Sequence, residues 1–350
     1  MPRFETLLIL LLFAFRVVHA REVIVMGDLH GDYKVLSDML VHLNLTRGEG
    51  DIRETFQLGH DQEFLQTGDV LDRGPNGLQI LNFLREQIQQ NNNVDMLLGN
   101  HELMNMYGEF SFVNRDELND EYERLMLEDD SQVRNFLIKR HVIRVIDGVV
   151  YTHAGLVPYF VDKYIQKDSP NEPLDIAYRM NEAFANILRH GSFGIHTHSH
   201  KSLLGPSGPL WTRKIFSDCG SLYKTLELLG AKHMVVGHTP QDEVSIHCQD
   251  SRRGMSLIAI DTGMSRAYGG VPSAVKIVDG KTMYVFNNSS KIRMVELETG
   301  TEVSLDFEHE KQSSYFLTNF IYTVIGLVIV LVVKYSFSST NPRLILKKVQ

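Results

Sequence analysis

The stretch "EFLQTGDVLDRGPNG", Glu63 to Gly77, determines which fold class the sequence predicts. It opens with a short apolar run, typical of a strand that is buried on both faces of a sheet. It then carries Asp69, Asp72 and Arg73 among turn-forming glycines. In open α/β sheets, functional residues gather beyond the carboxyl ends of the strands. We therefore interpret the stretch as a strand whose end loop presents chemically active groups.

Four other segments follow the same plan, an apolar run and then a polar residue: "EVIVMGDLHGDY", "VDMLLGNHE", "GVVYTHAGL" and "AKHMVVGHTP". Two stretches with apolar residues at helical spacing, "YKVLSDMLVHLNL" and "NGLQILNFLREQIQQ", follow the first two strand segments of the chain. Strand, loop and helix in alternation predict an α/β layered fold.

The polar residues at the five strand ends form one chemical set: Asp28, His30, Asp69, Asn100, His153 and His238. Taken alone, each could be a core residue or a helix cap. Together, carboxylates, imidazoles and an amide oxygen suit manganese, iron or zinc, and the lack of a thiolate excludes a structural cysteine-type zinc site. Six ligands are too many for one tetrahedral ion. They fit two ions that share a carboxylate and clamp a phosphoryl group.

Three blocks in order, "GDLHG", "GDVLDRG" and "GNHE", resemble the signature blocks of the phosphoprotein-phosphatase family of metallophosphoesterases. "HAGL" and "GHTP" resemble the two later metal-histidine blocks of that family. "LLGNHELMN", "GPLW" and "DTGMSRAYGG" are most similar to the Shewanella-like protein phosphatases. The resemblance covers residues 22–285 and implies a layered β-sandwich flanked by helices, of the calcineurin-like type.

The resemblance also implies a role for each ligand. Asp28 and His30 would bind the first metal ion, and Asp69 would bridge both ions. The ligands of the second ion would be Asn100, His153 and His238. Manganese is the expected metal, with iron or zinc as alternatives.

The remaining roles concern the substrate. Arg73 and Asn100 would hold the phosphate, and His101 would protonate the leaving group as a general acid oriented by Asp72. Arg213 is our candidate for a second phosphate-binding cation, although it could be a surface arginine. The implied reaction is direct attack of a metal-bridging hydroxide on a phosphomonoester, with no phosphoenzyme.

The expected substrates are phosphoproteins carrying phosphoserine, phosphothreonine or phosphotyrosine, and the sequence does not choose among them. The alternative is a small-molecule phosphoesterase or a dinucleoside polyphosphate hydrolase. A non-enzymatic adhesion or anchor module would be expected to lack ligands, and none is missing. A net charge of −8 does not indicate nucleic-acid binding. The sequence leaves the oligomeric state open.

The two ends of the chain predict a type I membrane protein. Residues 1–20 resemble a secretory signal peptide, although a short anchor or a buried first helix would look similar. Residues 312–333 carry no charge and are long enough to cross a bilayer. The basic tail, residues 334–350, favours the cytosolic side. Its last residues, "KKVQ", either resemble a dilysine signal for return to the endoplasmic reticulum or simply stop translocation.

Between the ends we predict a metallophosphatase domain over 21–290, with helical cap insertions at about 105–145 and 170–225, and a stalk over 291–311. Sequons at Asn44, Asn287 and Asn288 agree with a luminal domain. Cys219 and Cys248 could pair there, but sequence does not establish their distance. We interpret "DTG" (261–263) as a strand-end turn near the metals, because an aspartic protease needs a second such motif. "HTHSH" (196–200) is interpreted as an exposed loop.

Overall fold

A computed structural model of the chain describes residues 20–48, 50–90, 92–165, 172–190, 202–287 and 291–306. The helices are α1 Tyr33–His42, α2 Ile52–Thr55, α3 Gly77–Gln89, α4 Asn100–Met106, α5 Asp120–Leu127, α6 Gln132–Ile138, α7 Pro158–Tyr164, α8 Pro173–His190 and α9 Cys219–Leu228. The strands are β1 Glu22–Met26, β2 Gln62–Gln66, β3 Val94–Met96, β4 Ile143–Ile146, β5 Val149–Thr152, β6 His233–Val236, β7 Ser245–Asp250, β8 Met255–Ala259, β9 Ser273–Val278, β10 Thr282–Asn287, β11 Lys291–Glu296 and β12 Thr301–Asp306.

The strands form two mixed sheets. One has seven strands in the order β12-β11-β10-β9-β1-β2-β3, and the other has five in the order β4-β5-β6-β8-β7. The strands β1, β2 and β3 run parallel, as do β5, β6 and β8. One cluster of buried side chains combines both sheets: Val25 and Leu65 from the first, and Tyr151, Val235 and Ile258 from the second. This arrangement confirms the α/β fold with flanking helices.

The five strand segments predicted from sequence are β1, β2, β3, β5 and β6. They are divided between the two sheets, three in one and two in the other. The predicted helices after β1 and β2 are α1 and α3. Asp32 begins α1 as a capping residue, because its carboxylate accepts a hydrogen bond from the Val35 amide. The loops that carry the predicted ligands join these helices and strands.

Part of the predicted stalk is corrected by the structure. Residues 291–306 form β11 and β12 in the seven-stranded sheet. The segment is polar overall because residues 301–304 of β12 and both ends of β11 are exposed. Val295 and Leu297, two residues apart, are fully buried and provide the apolar contacts.

The two ranges predicted as a cap contain helices as well as other structure. The helices α5 and α6 lie in the first range, whose last residues begin β4, and α8 and part of α9 lie in the second. Whether these ranges cover the metal site as a cap stays a prediction.

Several predictions concern residues outside the described ranges. These are the signal peptide through residue 19, the Asn288 sequon, the "HTHSH" stretch, residues 307–311 of the stalk, the transmembrane segment and the tail. Within the described ranges, every helix falls short of the length and apolarity that a bilayer crossing requires.

The two cysteines form a disulfide, which sequence alone left open. Cys219, the first residue of α9, bonds to Cys248 in β7, with the Cα atoms 5.4 Å apart. The bond ties the start of a helix to a strand at a bulge in the β7–β8 pairing. It therefore constrains the segment that leads from Trp211 and Arg213 into α9.

An ionic cluster surrounds the buried side chain of Asp95, in the middle of β3. The Asp95 carboxylate accepts hydrogen bonds from His141 at 2.8 Å, Arg144 at 2.5 Å and Arg140 at 3.3 Å. Burial alone would raise the pKa of Asp95, but the His141 hydrogen bond and the two arginine charges outweigh it and lower the pKa to about 2. The ionised carboxylate is therefore favoured in the folded state.

Substituting Asp95→Asn is expected to lower the free energy of unfolding at pH 7 by about 2 kcal/mol. The Asp95 pKa is lower in the folded state than in the unfolded chain. Its contribution is therefore complete above about pH 4 and is lost as the pH falls towards about 2. Urea unfolding of wild type and Asp95→Asn at pH 7 and pH 3 measures this contribution to the free energy of unfolding. The difference between wild type and variant should narrow at pH 3, and a constant difference would contradict the assignment.

Candidate metal centre

The loops after β1 and β2 are joined by backbone hydrogen bonds. The amides of Leu29 and His30 both donate to the Asp69 carbonyl at 3.0 Å, and Gly31 donates to the Val70 carbonyl at 2.8 Å. Because β1 and β2 are parallel and in register, both loops emerge at the same edge of the sheet. The side chains predicted as ligands on these loops therefore lie together.

Two glycines allow backbone to approach the ligand oxygens closely. A Cβ on Gly99 would lie 2.2 Å from Asp69 Oδ1, and a Cβ on Gly237 would lie 2.3 Å from Asp28 Oδ1. Either side chain would overlap a carboxylate, so only glycine fits at these positions. The motifs "GNHE" and "GHTP" carry glycine there for this steric reason.

Backbone strain is concentrated at the same place. His30, Asp69, Asp72, Arg73 and His238 all have φ between 41° and 70°, the left-handed region that residues other than glycine seldom adopt. Each such residue costs about 1–3 kcal/mol and persists only where the surrounding structure enforces it. Strain shared by five residues of one site indicates that their exact orientation serves a function.

Asp69 faces two groups of nitrogen donors. Its Oδ2 atom lies 3.8 Å from His30 Nε2 and 3.9 Å from His101 Nε2, and its Oδ1 atom lies 3.4 Å from His153 Nε2. Donor atoms of His30, Asp69 and His101 lie within 4.8 Å of one another, as do those of Asp69, His153 and His238. A carboxylate common to both groups has the position that a bridging ligand requires.

The remaining two predicted ligands lie in direct contact with this set. Asn100 Oδ1 is 3.0 Å from His153 Nε2. The Asp28 carboxylate accepts a hydrogen bond from the His238 backbone amide at 3.1 Å. The structure thus brings all six residues together, although Asp28 and His238 are 210 positions apart in the chain.

The histidine rings are arranged to offer Nε2 as a ligand atom. Nδ1 of His30 donates to the Leu71 carbonyl at 3.1 Å, and Nδ1 of His153 donates to the Thr67 carbonyl at 2.9 Å. For His30 this bond selects the tautomer whose Nε2 carries a free lone pair. In His153, Nε2 also faces Asn100 Oδ1 at 3.0 Å; burial alone would lower the pKa of His153, but the Asp69 charge outweighs it and raises the pKa. His238 Nε2 is buried and has no hydrogen-bond partner among the described residues. A buried polar atom without a partner is what a missing ligand contact would leave.

Burial also keeps two of these imidazoles neutral. It lowers the pKa of His30 to about 4 and, together with the nearby His153, lowers the pKa of His238 to about 3. A neutral imidazole is the form that binds metal ions.

Several buried carboxyl groups lie beside these rings. Burial and the charges of Asp261 and Asp69 raise the pKa of Asp28 well above its ordinary value. Burial raises the pKa of Asp261, in the predicted strand-end turn, to about 6, with the Asp69 charge adding to the rise. Buried carboxylates in mutual contact repel one another unless a proton or a cation separates them. The donor set and its charge therefore fit divalent cations.

Removing divalent cations is expected to destabilise the protein. A cation at a hundredfold excess over its Kd adds about 2.7 kcal/mol to the free energy of unfolding when only the folded chain binds it. We expect EDTA to lower Tm and Mn²⁺ to restore it, measured by thermal unfolding. The Asp69→Asn variant is the control, since it lacks the shared carboxylate charge and should respond less. A Tm that changes neither with EDTA nor with Mn²⁺ would contradict a metal site.

His101 forms a short hydrogen-bonded pair with Asp72. Its Nδ1 atom lies 2.5 Å from Asp72 Oδ2. Burial alone would lower the pKa of His101, but the Asp69 charge and the bond to Asp72 outweigh it and raise the pKa. A protonated imidazole held beside the donor groups has the position and the charge of a general acid.

Three supporting residues escaped the sequence interpretation. Glu102 accepts hydrogen bonds from the amides of Asp69, Val70, Leu71 and Gly99, joining the β2 loop to the start of α4. Asn105 donates to Asp72 at 2.8 Å, and the Tyr122 hydroxyl donates to Asn105 at 2.8 Å. Glu102 and Asn105 stand in the quoted block "LLGNHELMN", which could have identified them. Tyr122 lies on α5, where no motif marked it.

The two predicted phosphate-binding arginines are exposed beside the donor groups. Arg213 donates from Nη2 to the His238 carbonyl at 3.1 Å. The Arg73 guanidinium lies over the Phe112 ring, which contacts His101. Both cations are thus placed where they could reach a phosphate held at the site.

Comparison with known proteins identifies the family to which the chain is similar. The model of the calcineurin-like phosphoesterase family matches residues 22–242. Shewanella-like protein phosphatase 1 of Plasmodium berghei is 30% identical, over 74% of this chain and 72% of that protein. Shewanella-like protein phosphatase 2 of Arabidopsis thaliana is 25% identical, over 77% of this chain and 80% of that protein.

A solved structure shares the fold. The cold-active protein-tyrosine phosphatase of the psychrophile Shewanella sp. superposes with a TM-score of 0.59 at 20% identity, covering 82% of this chain and 80% of that one.

Proposed function

Because this chain belongs to the calcineurin-like phosphoesterase family and is a hydrolase of phosphoesters, we propose that it is a dinuclear-metal phosphatase that removes phosphate from phosphoproteins. The observation that carries the proposal is the position of Asp69, whose two oxygens face separate groups of histidine donors. The His101–Asp72 pair lies next to the first group.

In the proposed site, Asp28, His30, Asp69, Asn100, His153 and His238 hold two divalent cations. Such a pair supplies an activated water as nucleophile and stabilises the charge of the transferring phosphoryl group. Manganese, iron and zinc all suit these ligands, with manganese our first choice.

The chain's own groups complete the reaction. His101 Nε2 gives its proton to the leaving oxygen of the substrate, which prevents a costly alkoxide from building up. Asp72 accepts a hydrogen bond from Nδ1 of His101. The proton on Nε2 is therefore the one that can be donated to the substrate. Arg73 and Arg213 bind phosphate oxygens through their planar guanidinium groups, and the Asn100 amide lies within the same site.

The names of the relatives support a protein substrate. Both Shewanella-like relatives are named protein phosphatases, and the structural neighbour is described as a tyrosine phosphatase. Phosphoserine, phosphothreonine and phosphotyrosine therefore remain the proposed substrates.

The proposal is tested by comparing three substrates on the full-length protein loaded with Mn²⁺: a phosphotyrosine peptide, a phosphoserine peptide and diadenosine tetraphosphate. We expect the highest kcat/KM on one of the two peptides. A clear preference for the nucleotide would overturn the choice of phosphoproteins. An Asp69→Asn preparation, purified identically, controls for contaminating phosphatases.

We also propose that the protein is a type I membrane protein of the secretory pathway, with its catalytic domain in the lumen and with endoplasmic reticulum residence favoured by "KKVQ". The uncharged stretch 312–333 and the basic tail support this proposal. The Cys219–Cys248 bond suits an oxidising compartment. Asn44 is exposed at a turn, where a glycan could be attached.

Glycosidase digestion of the protein from cells tests this topology. We expect a mobility shift, and we expect Asn44→Gln to reduce that shift. A protein without glycans, with its catalytic domain exposed to protease in intact microsomes, would refute the luminal placement.

A further inference from the structure

The backbone of Arg73 is held in a strained conformation by a neighbouring loop. Its φ is 70°, and its amide donates to the Phe112 carbonyl at 2.9 Å. The Asn114 side chain donates in turn to the Arg73 carbonyl at 2.8 Å. The loop after α4 thus fixes the backbone of Arg73, and with it the position of its Cβ atom.

The Arg73 side chain is held by aromatic rings instead of by acids. Its Cζ atom lies 4.4 Å from the centre of the Phe112 ring and 5.6 Å from that of Tyr268. No carboxylate in the described part of the chain forms an ion pair with it. Rings contact the flat face of a guanidinium and leave its in-plane N–H donors free. Arg266 is the contrast, because its N–H groups are occupied by Asp32.

The same two rings also contact the catalytic groups. Phe112 meets the His101 ring edge-to-face at 5.4 Å, and Tyr268 lies against the His30 ring at 5.1 Å. The position of the guanidinium is therefore coupled to the general acid on one side and to a predicted metal ligand on the other.

The loop that carries Tyr268 is itself fixed. Arg266 donates from its amide, Nε and Nη2 to Asp32 at 2.8, 2.8 and 3.0 Å, and Asp32 is only 2% exposed. The Gly270 amide closes the loop on the Gly263 carbonyl at 2.9 Å. A ring on such a loop can hold a mobile side chain in one place.

From these contacts we propose that Phe112 and Tyr268 are positioning residues that hold the Arg73 guanidinium with its N–H edge ready for phosphate. The proposal rests on the proposed phosphatase function. A cation–π contact at an exposed site corresponds to about a two- to fivefold change in affinity. Each ring is therefore expected to contribute about that factor to phosphate binding.

The test measures binding of inorganic phosphate to the Mn²⁺-loaded full-length protein by calorimetry, alongside kcat and KM. Phe112→Leu and Tyr268→Leu should each raise the phosphate Kd and the KM by about two- to fivefold. The value of kcat should change less, because the guanidinium contacts the phosphate both before and during the reaction. Phe112→Tyr and Tyr268→Phe, which keep a ring, should restore the affinity.

Two controls separate positioning from general damage. In an Arg73→Ala background, the two ring substitutions should have no further effect on Kd. Tyr159, 48% exposed on α7 against 46% for Tyr268, is the matched ring, and Tyr159→Leu should leave the phosphate Kd unchanged. Losses of equal size with and without Arg73 would overturn the proposal.

The outcomes also distinguish this inference from the proposed function. If the protein is an active phosphatase and neither Phe112→Leu nor Tyr268→Leu changes its phosphate Kd, the inference alone is refuted. A protein that binds phosphate in a ring-dependent way but hydrolyses no phosphomonoester would refute the function alone. A native protein that binds no phosphate would overturn both.

Discussion

Asp69→Asn is expected to lower kcat/KM by about a thousandfold or more, because a metal pair supplies several kcal/mol of charge stabilisation. Asn has the shape of Asp but lacks the charge that both donor groups share. It also tolerates the left-handed backbone at this position, where φ is 57°. The loss should therefore reflect chemistry and not unfolding.

Metal content and activity are measured together in this test. We expect the purified variant to hold less metal by elemental analysis and to keep the circular dichroism spectrum of the native protein. Asp38→Asn is the matched control, since Asp38 lies on the surface of α1 and forms an exposed ion pair with Lys34. Full metal content with full activity in Asp69→Asn would rule out the bridging role.

His101→Ala is expected to lower kcat on a phosphoserine peptide by about 10²–10⁴-fold, the usual contribution of a general acid. The leaving oxygen of serine is a poor leaving group unless it receives a proton. The p-nitrophenolate of p-nitrophenyl phosphate leaves without one, so its hydrolysis should fall far less. Asp72→Asn should weaken the same step, because it removes the charge that favours the protonated ring.

The ratio of the two substrates is the decisive measurement for His101. An equal loss on both would mean that the histidine acts through the metals or the fold instead of through proton transfer. His60→Ala is the control, since the His60 side chain is 94% exposed and pairs with Asp61, which is not a predicted ligand.

Much of the fold could be predicted because its pattern is local. Each predicted strand is a short apolar run that leads to a polar residue of metal-binding type, and all five exist as strands. The strands β11 and β12 were missed because β12 lies at the edge of the sheet with residues 301–304 exposed, and both ends of β11 are exposed, so the segment reads as polar. The cysteine pair could not be assigned, because the distance between Cys219 and Cys248 depends on how α9 packs near β7.

The supporting groups were harder to find than the ligands. A metal ligand must carry a donor atom such as a carboxylate oxygen or an imidazole nitrogen, so residue type restricts the choice. A residue that supports a ligand needs only a hydrogen bond or a ring at the right place. Tyr122 is linked to Asp72 through Asn105, and Phe112 contacts Arg73 and His101. No sequence spacing marks such contacts.

The sequence by itself determined the chemistry of this protein: which side chains end the strands, and hence a metal-dependent attack on phosphoesters. Only the tertiary structure decided the geometry: that Asp69 faces both donor groups, that His238 meets Asp28, and that two rings hold Arg73. The physical reason is the distance along the chain over which each property is set. Residue type and strand periodicity are set within a few neighbouring positions, whereas these contacts join loops that are distant in the chain. The contact between His238 and Asp28 even joins loops of the two different sheets, which pack on a common core.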